Sequence, residues 1–352
     1  MKKIVIFYDS IIFSLQKAGG ISSYWYNLCI RFLSSENSIF FIEKKFTGNI
    51  EHKKLLQINR NFYNNIISVP FLHRFLNVKT SNLNEKFIFH SSYYRITKNE
   101  LAVNVVTIHD FIHEKFYTGL RKWLHVLQKS YAIQNADVII TVSHNTRKDL
   151  LEFYPTINPD NVRVVHNGVS EEYFPIQNKL SFDSNSILFV GSREKYKNFN
   201  KLVEILNNIG KYNLIIVGSP LNKKEKAFLD TMLNNRWQIF TFLSNSELNN
   251  LYNSVNALAY VSSYEGFGIP LLESMNAGCP FIALRNSSIC EVAGDAGVLI
   301  DSLTSNDFIK ALDKITDKRA DIIQKGFLRA KQFSWNKCFN ETINIYQEFI
   351  NK

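Results

Sequence analysis

Long apolar runs, paired cysteines and acidic surplus are what this 352-residue sequence has least of. No stretch approaches the roughly 18 consecutive apolar residues of a membrane-spanning helix, so an integral membrane protein is not expected. The start, MKKIVIFYDSIIF, is basic and then apolar. Asp9 and Ser10 interrupt that run and no small-residue cleavage site follows, so it reads as a buried first strand rather than an export signal. The four cysteines, Cys29, Cys279, Cys290 and Cys338, include no C-x-x-C pair. They match neither a disulfide framework nor a zinc site and read as reduced core residues of a cytoplasmic protein. There is no repeat at solenoid spacing, no low-complexity tract and no G-x-G-x-x-G fingerprint.

What remains is an ordinary globular composition. With 45% hydrophobic and 20% charged residues the chain is too apolar for disorder and too mixed for a coiled coil. Its length suits two domains of roughly 100–200 residues. Lys and Arg outnumber Asp and Glu by 41 to 31, a net charge of +10. Residues 1–170 hold 21 basic against 12 acidic side chains and the remainder 20 against 19, so the excess lies in the first half. Such an excess suits nucleic acid, a membrane surface or an anionic substrate. The Lys and Arg residues are dispersed and no nucleic-acid-binding motif accompanies them, so nucleic acid is not an expected partner.

Short β-branched and aromatic runs alternate with helical lengths: 4–8, 38–42, 87–90, 103–109, 137–143 and 162–166, then 187–191, 213–218, 238–242, 257–261, 281–284 and 297–300. This alternation predicts parallel sheets with crossover helices. The pattern restarts after a polar stretch near 168–182 that contains Pro175. The expected fold is therefore α/β, two facing Rossmann-like domains with parallel sheets and a cleft between them. Either one large doubly wound domain or two independent modules would give the same pattern. The boundaries read as 1–170, 171–335 and a final helix over 336–352 that either crosses back to the first domain or stays with the second.

Four segments carry candidate chemistry. Gly19-Gly20-Ile21 precedes a helical stretch; adjacent glycines allow close backbone approach and a helix N-terminus offers unpaired N–H groups to an anion. Alone, it reads more readily as a tight turn without function. His109-Asp110 ends a strand, where a neutral imidazole can bond a sugar hydroxyl and Asp110 can cap a helix; a core histidine beside a cap is the alternative. Gly191 to Asn198, GSREKYKN, sets Arg193 and Lys197 in a strand-to-helix loop suited to a diphosphate, with Glu194 and Lys195 reading as solvated charges. The fourth, SSYEGFGIPLLESMNAGCPFIAL over 262–284, is the most specific. In it Gly266, Gly268 and Pro270 favour a turn that opens a helix between Glu265 and Glu273. That helix start suits a phosphate, and Glu273 one turn in suits a ribose diol.

These segments, together with VVHNGV at 164–169, occur in the order found in glycosyltransferase family 4, which the sequence resembles over nearly its whole length. The resemblance implies the GT-B fold and a retaining, nucleotide-sugar-dependent transferase. It implies that Gly19 and Gly20 lie at the diphosphate end and His109 near the transferred sugar. Arg193 and Lys197 would bind the diphosphate, Glu265 the sugar and Glu273 the ribose. His109, Arg193, Lys197 and Glu265 are thus the expected catalytic set. Donor contacts extend over Gly266, Phe267, Gly268, Ile269, Pro270 and Leu271, with Phe242 or Leu243 beside the base. Asn167-Gly168 matches a structural turn at the end of the first domain. Ser274, Asn276 and Cys290 depart from the family pattern near the donor site.

Glu265 and Glu273, with proposed roles at opposite ends of the donor, are poor candidates for a glycosidase-type pair about 5 Å apart. No Asp-x-Asp pair is present, so no metal and no cofactor beyond the nucleotide sugar are expected. By resemblance the transferred sugar is a hexose, mannose or a relative, from a GDP- or UDP-linked donor. The acceptor is a lipid-linked glycan of O-antigen, capsule or exopolysaccharide type. A GT-B epimerase or phosphorylase, or a non-catalytic two-domain sugar-binding protein, are the other readings. Two basic and apolar stretches, 52–76 and 120–131, suit an anionic membrane on the cytoplasmic side. In the second, Leu120, Leu124, Leu127 and Tyr131 recur at helical spacing, with Arg121, Lys122, His125 and Lys129 for another face. A crossover helix packed on the sheet explains that stripe equally well.

Overall fold

The computed structural model describes residues 3–17, 19–43, 48–58, 62–64, 74–80, 84–177 and 185–352. The end of the linker stretch, 178–182, and residues 59–61 and 65–73 of the first basic stretch lie outside the described residues. The chain divides into two compact units, Met1–Gly168 with Trp335–Lys352, and Val169–Ser334.

The first unit is built on a seven-stranded parallel sheet of β1 (Val5–Asp9), β2 (Ser38–Glu43), β3 (Phe62–Asn64), β4 (Phe87–Ser91), β5 (Ala102–Ile108), β6 (Val138–Thr141) and β7 (Val162–Val164), in the order β3-β2-β1-β4-β5-β6-β7. Every residue of β4 is buried, as expected of a strand covered on both faces by crossover helices. The short edge strand β3 is an element that the sequence pattern does not announce. β1 pairs with both β2 and β4, so the strand order reverses there; ligands of doubly wound sheets bind at the carboxyl ends beside that reversal. In this unit the position is filled by Asp9, whose buried carboxylate accepts from the Ser92 backbone N–H and hydroxyl, both at 2.6 Å.

The final helix, Trp335–Ile350, belongs to this unit because its apolar face packs there. Tyr346 is fully buried, stacks on Phe32 with centroids 5.5 Å apart, and lies 3.0 Å hydroxyl to hydroxyl from Tyr8. A short hydrogen bond joins the same hydroxyl to His90 Nδ1. His90 Nε2 continues to Thr107 at 2.8 Å, and Thr107 to Tyr24 at 3.2 Å. One buried polar chain thus ties the last helix to β1, β4, β5 and the Gly20–Leu33 helix.

The second unit carries a six-stranded parallel sheet of β8 (Ser186–Val190), β9 (Asn213–Val217), β10 (Trp237–Phe240), β11 (Ala257–Tyr260), β12 (Phe281–Leu284) and β13 (Val298–Ile300). Its order, β10-β9-β8-β11-β12-β13, reverses at the β8/β11 pair. The helices have local reasons to start and stop. Asn222 with Glu225 and Ser244 with Glu247 form reciprocal capping boxes, and Gly210 ends the Phe199–Ile209 helix in the left-handed region.

Candidate active site

At the β8/β11 reversal the loops Gly191–Asn198 and Val261–Gly268 leave adjacent carboxyl ends, and three ties join them. The Ser263 backbone N–H donates to the Tyr196 carbonyl at 2.7 Å. Asn198, held at φ 55° in the left-handed region, donates its amide to the Val261 carbonyl and the Ser263 hydroxyl, both at 2.8 Å. Lys197 Nζ donates to Glu265 Oε1 at 2.5 Å and stands 5.3 and 5.6 Å from the ring centroids of Tyr196 and Tyr260. Both partners are largely shielded from water, so the pair is strongly oriented and losing one member would strand the other. Asn198 carries no role in the sequence reading. Its position just before a helix after a short loop is the signal, since Asn tolerates this conformation better than other non-glycine residues.

Arg193 is engaged elsewhere. Its Nε donates to Glu225 Oε1 at 2.7 Å, and the guanidinium also donates to the Ser219 and Pro220 carbonyls at 3.0 and 3.1 Å. Arg193 therefore clamps the loop after β9. Close approach of these loops requires glycine: a Cβ on Gly218 would lie 2.6 Å from the Gly191 carbonyl oxygen and 3.2 Å from Arg193 Nη1. Glu194 and Lys195 are exposed.

The Glu265–Leu271 turn is laced from behind. Ser287 Oγ accepts from the Glu265 N–H at 3.0 Å, and Ser288 Oγ donates to the carbonyls of Glu265 and Phe267. Phe267 and Leu271 are buried packing residues, Ile269 and Pro270 are half-buried, and Gly266 supplies only backbone. Gly268, at φ 118°, caps the Ile269–Asn276 helix in a conformation that favours glycine. Ser274, one of the departures from the family pattern, is buried and bonds the Leu271 carbonyl at 2.8 Å.

Glu273, on that helix, accepts from the Tyr252 hydroxyl at 2.9 Å. Burial pushes its carboxyl up to about 7, against the opposing hydrogen bonds from Tyr252 and Tyr173. A ribose diol donates better to the ionised form. Nucleotide affinity is therefore expected to rise with pH through 7, by at most about tenfold per pH unit, and Glu273→Gln is expected to flatten the profile. Calorimetric titration between pH 6 and 8 checks this. An unchanged slope in the variant would dissociate Glu273 from the ligand. The stability contribution has the opposite sign: with the folded value raised, it is complete at low pH and is lost as pH rises through about 7. Phe242 is exposed at φ 56°, an unusual backbone state for an aromatic residue, and Leu243 beside it is half-buried.

In the first unit Gly20 opens the Gly20–Leu33 helix and Gly19 is its cap, where the Gly19 carbonyl accepts from Ser22 Oγ at 2.9 Å. His109 follows β5 and meets Tyr24 of that helix edge-on at 5.0 Å. Its Nε2 is shielded and has no hydrogen-bond partner. Burial is the main cause that lowers its pKa to about 4, with Lys129 assisting and Asp110 opposing, so the ring is neutral at pH 7. Asp110 accepts from the Ile112 N–H at 3.0 Å, two residues on, while the cap position of the Ile112–Phe116 helix is Phe111. The structure thus groups Gly19, Gly20 and His109 in the first unit, and Lys197, Glu265, Glu273 and the Gly266–Leu271 turn in the second. A separate cavity of about 830 Å³ in the first unit is lined by Ile12, Ile21 and Leu124 together with Tyr93, His113 and His125. The two imidazoles stack there with centroids 3.7 Å apart.

Two doubly wound parallel α/β units in succession make up the GT-B fold. Residues 18–173 match the family described as Glycosyltransferase Family 4, and residues 171–329 the one described as Glycosyl transferases group 1. The chain belongs to the family-4-type GT-B glycosyltransferases. It is 27% identical over 298 residues to the O-antigen chain mannosyltransferase B of Escherichia coli, covering 74% of each chain. It is 25% identical over 233 residues to the O-antigen chain mannosyltransferase RfbU of Salmonella typhimurium, covering 62% of this chain and 63% of that one. Among solved structures, Anabaena HepE in complex with UDP-glucose superposes with a TM-score of 0.75 at 13% identity, over 98% of this chain and 100% of that one. WaaG, a glycosyltransferase involved in lipopolysaccharide biosynthesis, gives 0.69 at 13% identity, over 97% and 99%.

Proposed function

We propose that the protein is a retaining transferase that moves a hexose, mannose or a related sugar, from a nucleoside diphosphate to a lipid-linked glycan during surface-polysaccharide synthesis, working at the cytoplasmic face of an anionic membrane. The observation that carries the donor assignment is the Lys197–Glu265 pair held between two loops at the β8/β11 reversal. The names of the Escherichia coli and Salmonella relatives favour mannose and a glycan acceptor, while HepE, as a UDP-glucose complex, keeps UDP among the candidate donors.

In this reading Lys197 turns from Glu265 toward the diphosphate and takes up the charge that develops on the leaving oxygen. The backbone N–H groups at the start of the Ile269–Asn276 helix add their partial positive charge. Glu265 accepts hydrogen bonds from the sugar, Glu273 from the ribose, and Phe242 or Leu243 lies by the base. Arg193 adds positive field and becomes a direct ligand only on release from Glu225. Neutral His109, with an uncommitted ring nitrogen, bonds a hydroxyl of the transferred sugar without adding charge. Gly19 and Gly20 let their helix start approach the diphosphate. The acceptor enters the first unit, whose 830 Å³ cavity offers aliphatic, phenolic and imidazole groups to an amphiphilic molecule.

Transfer is written as a front-face displacement. The bond from the anomeric carbon to the phosphate oxygen breaks as the acceptor oxygen bonds to the same face. The acceptor hydroxyl proton passes to the departing phosphate. Lys197 and the helix start meet the leaving charge, so the scheme requires no divalent ion. The test is transfer from GDP-mannose and UDP-hexoses, with the product's anomeric configuration read by NMR. An α-linked donor is expected to give an α-linked product, with activity persisting in excess EDTA. A β-linked product, or turnover of the donor without an acceptor as the main reaction, would overturn the reading.

A further inference from the structure

The Gly119–Gln134 helix turns a polar face inward: His125 and Gln128 are almost fully covered and Lys129 completely, while Leu120 and Leu127 of the apolar stripe stay exposed. Lysine is rarely buried to this extent unless it is paired. Lys129 Nζ donates to three acceptors, the Asp110 carbonyl at 2.7 Å and the two carboxylate oxygens of Glu114 at 2.9 and 3.0 Å. It also lies over the buried ring of Phe111, 4.2 Å from the centroid.

All of these partners belong to the short stretch that follows His109. Asp110 is its chain neighbour, and Glu114 lies on the Ile112–Phe116 helix. The stretch is tied twice more, by Lys122 Nζ to the Glu114 carbonyl at 2.8 Å and by Lys115 Nζ to Asp149 of the His144–Phe153 helix at 2.8 Å. Stability alone does not account for the Lys129–Glu114 pair, because apolar groups of similar volume in place of a buried ion pair are often neutral or stabilising. Apolar packing has no direction, however, whereas hydrogen bonds to a carbonyl and a carboxylate fix the turn after β5 in distance and angle.

We infer that Lys129, with Glu114 as its counter-charge, is a positioning residue for sugar transfer: its grip on the Asp110 carbonyl fixes the turn after β5 and so the place where His109 presents its ring. The inference rests on the proposed bond from His109 to the transferred sugar and names what sets that ring's geometry. The other titratable groups around the ring are Tyr24 of the Gly20–Leu33 helix, His90 of β4 and Asp110. Burial lowers the His109 pKa most, Asp110 opposes the shift, and the charge on Lys129 adds to it. The ammonium that holds the turn thus also favours the neutral ring, which can donate or accept at a sugar hydroxyl according to its tautomer.

Lys129→Met alone would strand the Glu114 carboxylate and is expected to destabilise the first unit. The working variant is therefore Lys129→Met, Glu114→Gln, expected to melt close to the parent protein. Nitrogen NMR of the full chain with labelled histidine, assigned through His109→Ala, reads the ring directly. In the double variant the His109 signals are expected to shift at pH 7, and the ring to take up its proton at a higher pH than in the parent. Unchanged His109 signals between pH 5.5 and 7 would overturn the inference whatever the activity. Sugar transfer from GDP-mannose and UDP-glucose reads the consequence. Removing the pair is expected to lower kcat about tenfold to a hundredfold in the parent and to cause no further loss in His109→Ala. An equal loss in both backgrounds would overturn the positioning role. Parental kcat in the double variant, with a loss in His109→Ala, would overturn it too and leave the reading of His109 standing. Parental kcat in His109→Ala would overturn that reading and the inference with it.

Discussion

Lys197→Met is expected to lower kcat about a hundredfold to a thousandfold, the scale on which removal of one preorganised donor to a developing negative charge acts. The variant also leaves Glu265 shielded and without its cation, so part of any loss would come from a destabilised loop. The double variant Lys197→Met, Glu265→Gln separates the two effects. It removes the stranded charge and is expected to recover most of the melting temperature and none of the activity. If the double variant regained transfer, Lys197 would serve only to neutralise Glu265. Steady-state kinetics and thermal melts on the two single variants and the double variant complete the cycle.

Tyr346→Ala is the substitution with the largest expected effect on stability. The side chain is fully buried, and large-to-small changes of aromatic residues in cores cost about 3–5 kcal/mol. This one also removes the shared partner of Tyr8 and His90, leaving polar groups in an apolar interior. Tyr346→Phe keeps the packing and loses only the hydrogen bonds, so it is expected to cost about 1–3 kcal/mol. The melt should report loss of the first unit, since the last helix packs there rather than with the residues that precede it in the chain. Were Tyr346→Ala to melt like the parent protein, the helix would contribute nothing to that core.

The strands were legible because both sheets are parallel and covered, so each appears as a compact β-branched run such as FIFH or ILFV. β3 was not, because Phe62–Asn64 is three residues long among polar neighbours. The loop-to-helix motifs were visible in residue type and order, but their pairings depend on contacts between distant segments. Arg193 reads as a free cation until the approach of Gly191 and Gly218 brings Glu225, 32 residues away, within reach. Glu273 reads as a plain carboxylate until burial raises its pKa against the hydrogen bond from Tyr252. Periodicity marked an apolar stripe on residues 120–131, yet which side faces inward is decided by Glu114 and Tyr93, and no helical repeat encodes them.

Lys197 of the second unit is proposed to hold the donor diphosphate. The most direct measurement is calorimetric titration of GDP, UDP, dTDP and ADP into the parent protein and Lys197→Met at pH 7.5. One nucleoside diphosphate is expected to bind clearly, its monophosphate more weakly, and Lys197→Met to weaken the diphosphate about tenfold or more with little effect on the monophosphate. Equal diphosphate affinity in the two proteins would contradict the claim.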